Sequence, residues 1–228
     1  AMPDATPETS ARRLAEIRTE MAKACKIAKR STDDVALIAV SKTRDADQIR
    51  PLLDAGHRMF GENRVQEAAT KWPDLRTAYP DIQLHLIGQL QSNKAEEAVE
   101  LFDCIHSLDR LSLLSALSKA MAKAEKQIPC FIQVNIGDEE QKGGCSMPDR
   151  PALLGPPKPP QSRVAGLLPT PPADLEAAPY FALLAELAAR HGLSQLSMGM
   201  SEDFPTAIML GATHIRVGTA LFGARTAG

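Results

Sequence analysis

A lysine stands where an apolar run gives out: Val40-Ser41-Lys42-Thr43 closes the segment Val35–Val40. An amine held partly out of water at such a point has a lowered pKa, and more of it is in the neutral form that attacks an aldehyde. Taken alone, the lysine reads as a solvated loop residue. Two further stretches change its context, Phe60-Gly61-Glu62-Asn63-Arg64 and His85-Leu86-Ile87-Gly88-Gln89-Leu90-Gln91-Ser92-Asn93-Lys94. Each residue in them has a plainer reading. Asn63 and Ser92 precede helical patterns and fit helix caps, and His85 fits a hydrogen-bonded core histidine. As a set they bring several polar side chains to one rim.

A second group lies near the C-terminus, in Ser197-Met198-Gly199-Met200-Ser201-Glu202-Asp203 and Arg216-Val217-Gly218-Thr219. Phosphate in an α/β barrel is commonly held after the last two strands by backbone N–H groups, hydroxyls and a helix N-terminus. Ser201, Gly218 and Thr219 offer that set. Ser201 also fits as the cap of a helix beginning near Asp203.

The elements that must carry these residues alternate. Eight short apolar runs read as strands: Val35–Val40, Arg58–Phe60, Ile82–Ile87, Cys104–Leu108, Cys130–Ile136, Val164–Leu168, Gln195–Met198 and His214–Val217. Helical patterns fall over Ala46–Ala55, Arg64–Thr77, Ser92–Leu101, Asp109–Lys126, Glu176–His191 and Asp203–Leu210, with an extra N-terminal helix over Thr9–Lys29. Strands alternating with helices imply parallel pairing through right-handed crossovers, and eight in a chain of 228 residues favour a closed (β/α)8 TIM-type barrel over an open doubly wound sheet. In that barrel Gly61, Gly88, Gly199 and Gly218 all fall at the C-terminal mouth, where ligands bind. One stretch resists. Residues 143–163 carry Pro148, Pro151, Pro156, Pro157, Pro159 and Pro160, so no normal helix runs through 155–160, and a loop or a disrupted crossover is expected there.

Composition narrows the function. The length suits one domain over 1–228, and Ala1 before Met2 reads as a tag remnant. A net charge of −2, a pI near 6.3 and 4% aromatic residues argue against nucleic acid as a partner. Cys25, Cys104, Cys130 and Cys145 form no C-x-x-C pair and indicate neither zinc nor a disulfide scaffold. No apolar run is long enough to span a bilayer and no signal peptide is evident, so a cytoplasmic protein is expected. No apolar helix face is left spare, which predicts a monomer.

In order, Val-Ser-Lys-Thr, Phe-Gly-Glu-Asn-Arg, His-Leu-Ile-Gly-x-Leu-Gln-x-Asn-Lys, Ser-Met-Gly-Met-Ser-x-Asp and Arg-Val-Gly-Thr-x-x-Phe-Gly resemble the YggS/PROSC family of pyridoxal phosphate homeostasis proteins, from about Thr9 to Arg225. The resemblance implies an alanine racemase N-terminal-domain-like barrel of the PLP fold type III class, holding pyridoxal 5′-phosphate (PLP) as a Schiff base on Lys42. It implies that Asn63 approaches the cofactor, that His85 and Met200 lie in the pocket wall, that Ser201, Gly218 and Thr219 hold the phosphate, and that Arg216 faces the pyridine nitrogen. Lys142 matches a family lysine that could take part in PLP handover, and apo-PLP enzymes would be transient recipients. The chain has Arg44 where the family usually has Lys, and Gly166-Leu167-Leu168 where Gly-Leu-Met is common.

Arginine disfavours protonation of the ring nitrogen and so weakens the ring as an electron sink. A chain ending at Gly228 leaves no room for the racemase's second domain. A non-catalytic PLP carrier is therefore expected. Two alternatives use the same residues differently. A barrel racemase or Schiff-base aldolase would also use Lys42, and the racemase would need a second acid/base group, for which His85 is the candidate. An interaction protein with an incidental lysine would give no chromophore.

Overall fold

The structure is a computed structural model that describes residues 7–136, 164–170 and 177–223. Its strands are β1 (Ala36–Val40), β2 (Met59–Glu62), β3 (Gln83–Leu86), β4 (Cys104–Leu108), β5 (Cys130–Asn135), β6 (Val164–Thr170), β7 (Gln195–Leu196) and β8 (His214–Val217). The helices are α1 (Pro7–Ile27), α2 (Ala46–Asp54), α3 (Val65–Ala78), α4 (Ala95–Leu101), α5 (Leu111–Ala124), α6 (Ala178–Arg190), α7 (Phe204–Met209) and the single turn α8 (Thr219–Phe222). The Pro-rich stretch 143–163, Lys142 and Cys145 lie outside the described residues.

All strand pairs are parallel, in the order β7-β6-β5-β4-β3-β2-β1-β8. The ring closes between its ends. Thr213 N donates to Leu196 O at 2.9 Å, Met198 N to His214 O at 3.0 Å, and Arg216 N to Gly199 O at 2.9 Å. The chain therefore forms a (β/α)8 barrel, as its alternating pattern predicts.

Burial divides the strands into two faces. Leu37 and Ala39 of β1, Phe60 of β2 and Leu84 and Leu86 of β3 point outward into the apolar layer shared with the helices. There Val65, Ala68, Trp72 and Leu75 form the buried stripe of α3, and the Trp72 ring lies 5.0 Å from that of Phe60. Leu14, Ile17, Met21, Ala24 and Cys25 recur at helical spacing along α1 and bury it against α2, α7 and α8.

Three boundaries differ from the sequence pattern. β2 runs on through Gly61 to Glu62, because Gly61 faces inward against Ile38, whose Cγ2 would stand only 2.8 Å from an added Cβ. Ser92–Lys94 forms a separate 3₁₀ turn before α4. α8 directly follows β8 and has no periodic signature, being four residues long.

Candidate functional site

Residues from six strands and the loops that follow them meet around a cavity of about 440 Å³ at the C-terminal mouth. Lys42 and Asn63 line it from the ends of β1 and β2, Gly88 and Gln89 from the loop after β3, and Gln133 from β5. Met200, Arg216, Gly218 and Thr219 line the opposite wall, beyond β7 and β8. Six of the eight residues singled out from sequence thus border one space.

The wall is shaped by close backbone approaches. A Cβ on Gly88 would run into the carbonyl oxygen of Asn63, so only glycine lets the β3 loop lie across the end of β2. Gly199 takes φ +103, and an added Cβ would meet Ala207 Cβ at 2.7 Å. That bend turns the chain from β7 toward Met200, whose exposed side chain sits at the rim.

The other two residues are placed differently. Ser201 does not cap α7, whose N-cap residue is Asp203. Its Oγ instead accepts from Ala220 N at 3.3 Å, at the start of α8, so Ser201 joins the β7 and β8 loops beside Gly218 and Thr219. Asn63 is likewise not the cap of α3, which is Arg64. His85 is buried and is not among the residues bordering the cavity. Ile87, two residues further along the same strand direction, takes that place.

His85 belongs to a polar layer within the barrel that sequence reasoning missed. Its Nδ1 lies 2.8 Å from His106 Nε2, and His106 Nδ1 lies 3.0 Å from Ser197 Oγ. The His106 ring stacks on Phe131 at 4.4 Å, and His214 completes the group with its ring 6.0 Å from that of His85. Inward parity in β3, β4 and β8 was the available signal. Cys104 joins His85 and His106 in a buried trio whose ligating atoms all lie within 4.8 Å of one another. Two imidazole nitrogens on one tetrahedral zinc stand about 3.3 Å apart, as follows from bonds of about 2.0 Å; the 2.8 Å spacing is that of a hydrogen bond.

Burial pushes His85 down to about 3, with the His214 charge adding to the effect, and holds His106 well below its ordinary value, with His85, His214 and Arg216 contributing. These rings are neutral at physiological pH. Arg216 lies above them. Burial lowers it to about 10, opposed by the Asp203 carboxylate, so it keeps its charge at neutral pH. Its Nε is buried without a partner among the described residues.

This site can be set beside known proteins. The alanine racemase N-terminal domain family matches residues 13–226. The pyridoxal phosphate homeostasis protein of Pseudomonas aeruginosa is 40% identical over 226 residues, covering 96% of this chain and 97% of the relative. The chain belongs to the pyridoxal phosphate homeostasis protein family. Its Escherichia coli K12 relative of the same name is 35% identical, covering 94% and 96% of the two chains. Among solved structures, Synechococcus elongatus PipY without PLP superposes with a TM-score of 0.80 at 40% identity, covering 93% of this chain and 99% of PipY. PipY with PLP bound gives 0.76 at 38% identity, covering 94% and 100%. Bartonella henselae alanine racemase shares the fold alone, with a TM-score of 0.63 at 17% identity, and the family member covers 59% of it.

Proposed function

We propose that the protein holds PLP at the barrel mouth through the Lys42 amine and serves PLP homeostasis as a carrier. The observation that carries this reading is that Lys42 and Arg216 border the same cavity, with Arg216 Nε buried and without a partner among the described residues, in a chain related to PipY. The residues present fit the cofactor. Lys42 offers the primary amine, Arg216 an N–H donor for a ring nitrogen, and Ser201, Gly218 and Thr219 a hydroxyl and backbone set for a phosphate. When bound, PLP supplies an aldehyde that takes up amines and a ring that draws electrons from them.

The protein's own residues favour holding over turnover. A charged Arg216 disfavours a proton on the facing ring nitrogen. A racemase also needs acid/base groups on both faces of the cofactor. His85, the second candidate, has its pKa lowered to about 3 and spends Nδ1 on His106, which makes it a weak base. Asn63 and Met200 act as walls that orient the ligand.

The test is to add PLP, record the visible spectrum, reduce with borohydride and map the labelled peptide, with Lys42→Ala alongside. A yellow band and a label on Lys42, both lost in the variant, are expected. A label spread over surface lysines overturns the reading. Incubation with single amino-acid enantiomers in deuterated water then separates carrier from enzyme, since rapid α-proton exchange would establish a racemase-like activity.

A further inference from the structure

The residues next to Lys42 and Asn63 are bonded to each other. Ser41 Oγ donates to Glu62 Oε2, and Ser41 N donates to Gly61 O at 3.0 Å. Glu62 Oε2 also receives Lys71 Nζ at 3.0 Å, in an ion pair whose side chains are 0% and 8% exposed. From α3, the same ammonium reaches the Ser41 and Arg44 carbonyl oxygens at 2.8 and 2.7 Å. Lys71 thus grips the turn on both sides of Lys42. Thr43, in this turn, takes a left-handed φ of 62, and its N–H is held by Glu67 Oε1 at 2.7 Å.

Stability alone is a poor account of this arrangement. Removing two charges from water costs free energy that their attraction barely offsets, and apolar residues of similar volume would attach α3 to the sheet as well. Glu62 Oε1 is moreover left buried without a partner among the described residues, a cost usually avoided. What apolar residues would not supply is a donor for two turn carbonyls and an acceptor for Ser41.

We infer that Lys71 and Glu62 are positioning residues, which stake the Ser41–Arg44 turn to the end of β2 so that Lys42 is held facing the cofactor cavity at a fixed distance from Asn63. This rests on the reading of Lys42 as the PLP-holding amine. Neither residue borders the cofactor cavity. They act through the turn.

The test compares wild type with Lys71→Met and with the doubly neutral Glu62→Gln/Lys71→Met. PLP release is followed with alkaline phosphatase, which consumes only free PLP. Backbone amide exchange over residues 41–45 is measured without PLP, alongside thermal midpoints. Lys71→Met should release PLP about 10-fold faster, the scale on which a supporting residue acts, with faster exchange in the turn and part of the borohydride label moved off Lys42. The double variant, free of an unpaired buried charge, should recover most of the thermal midpoint yet keep fast release and fast exchange. Recovery of release together with stability would show a merely structural pair and overturn the inference, as would unchanged release and exchange in both variants. A wild-type label found off Lys42 would instead overturn the parent reading.

Discussion

His85 Nδ1 and His106 Nε2 lie 2.8 Å apart inside the barrel, beneath a cavity that Arg216 borders. The bond fixes complementary roles. Either His106 donates to His85, and Ser197 then donates to His106 Nδ1, or every donor in the chain is reversed. In both states His85 Nε2 is left buried without a partner among the described residues.

This layer, together with the buried His57 packed on Phe60 outside the barrel, makes the protein sensitive to acid. His57 and His214 are lowered to about 4 and His85 to about 3, chiefly by burial, and His106 lies well below 6.5. Each imidazole titrates lower folded than unfolded, so the unfolded chain takes up the proton first. Stability is intact above the unfolded value of 6.5 and is lost as pH falls toward the folded values. The loss approaches about 1.4 kcal/mol per pH unit for each histidine. Glu62, raised by burial, acts oppositely, as one carboxyl against four imidazoles. Urea unfolding at pH 7.5 and 5.5 should show a marked loss, shallower by about one proton's worth in His57→Gln. A flat profile would contradict neutral buried histidines.

Ser197→Ala removes the partner of His106 Nδ1 inside the barrel. A buried ring nitrogen left unsatisfied costs about 1–3 kcal/mol, read as a lower urea midpoint with unchanged slope. No change would mean that water replaces the hydroxyl.

Gly88→Ala forces a methyl group into the Asn63 carbonyl. The β3 loop must then move off the end of β2, at a cost of about 3 kcal/mol or more, the upper part of the range for overpacking against a fixed backbone. Thermal unfolding should report it, and PLP affinity should fall with it because Gly88 and Gln89 of that loop line the cavity.

Ser201→Ala removes the hydroxyl at Ala220 N while leaving Lys42 untouched. PLP should bind about 10-fold more weakly, the worth of about 1.4 kcal/mol for a hydrogen bond near a charged group, with the borohydride label still on Lys42. Equal affinity would exclude Ser201 from the phosphate set.

Arg216→Gln removes the charge proposed to face the ring nitrogen. The bound cofactor should then take up a ring proton at higher pH than in wild type, seen by spectrophotometric titration. An unshifted titration would mean that Arg216 does not face the ring.

Much of this architecture was written locally. Strand and helix follow from apolar periods of two and 3.6, which neighbouring residues set, so the eight strands and the placement of Lys42 at the end of β1 were legible. Lys42, Asn63, Met200, Arg216, Gly218 and Thr219 share a cavity because every parallel strand of a barrel delivers its C-terminal end to one face. Contacts between strands were not legible, since they depend on inward parity, register and closure. His106 meets Ser197 across 91 residues, and Lys71 reaches the Ser41 carbonyl across 30. Ser201 meets Ala220 and does not serve as the N-cap of α7, because the closing bonds of β7 to β8 bring the two loops together. Sequence by itself determined the barrel and the rim of the site. The tertiary structure decided the histidine layer beneath it and the ion pair behind it, because His106 meets Ser197 only when the strands curl into a barrel, and Lys71 reaches Ser41 only when β1 pairs with β2 and α3 packs beside them.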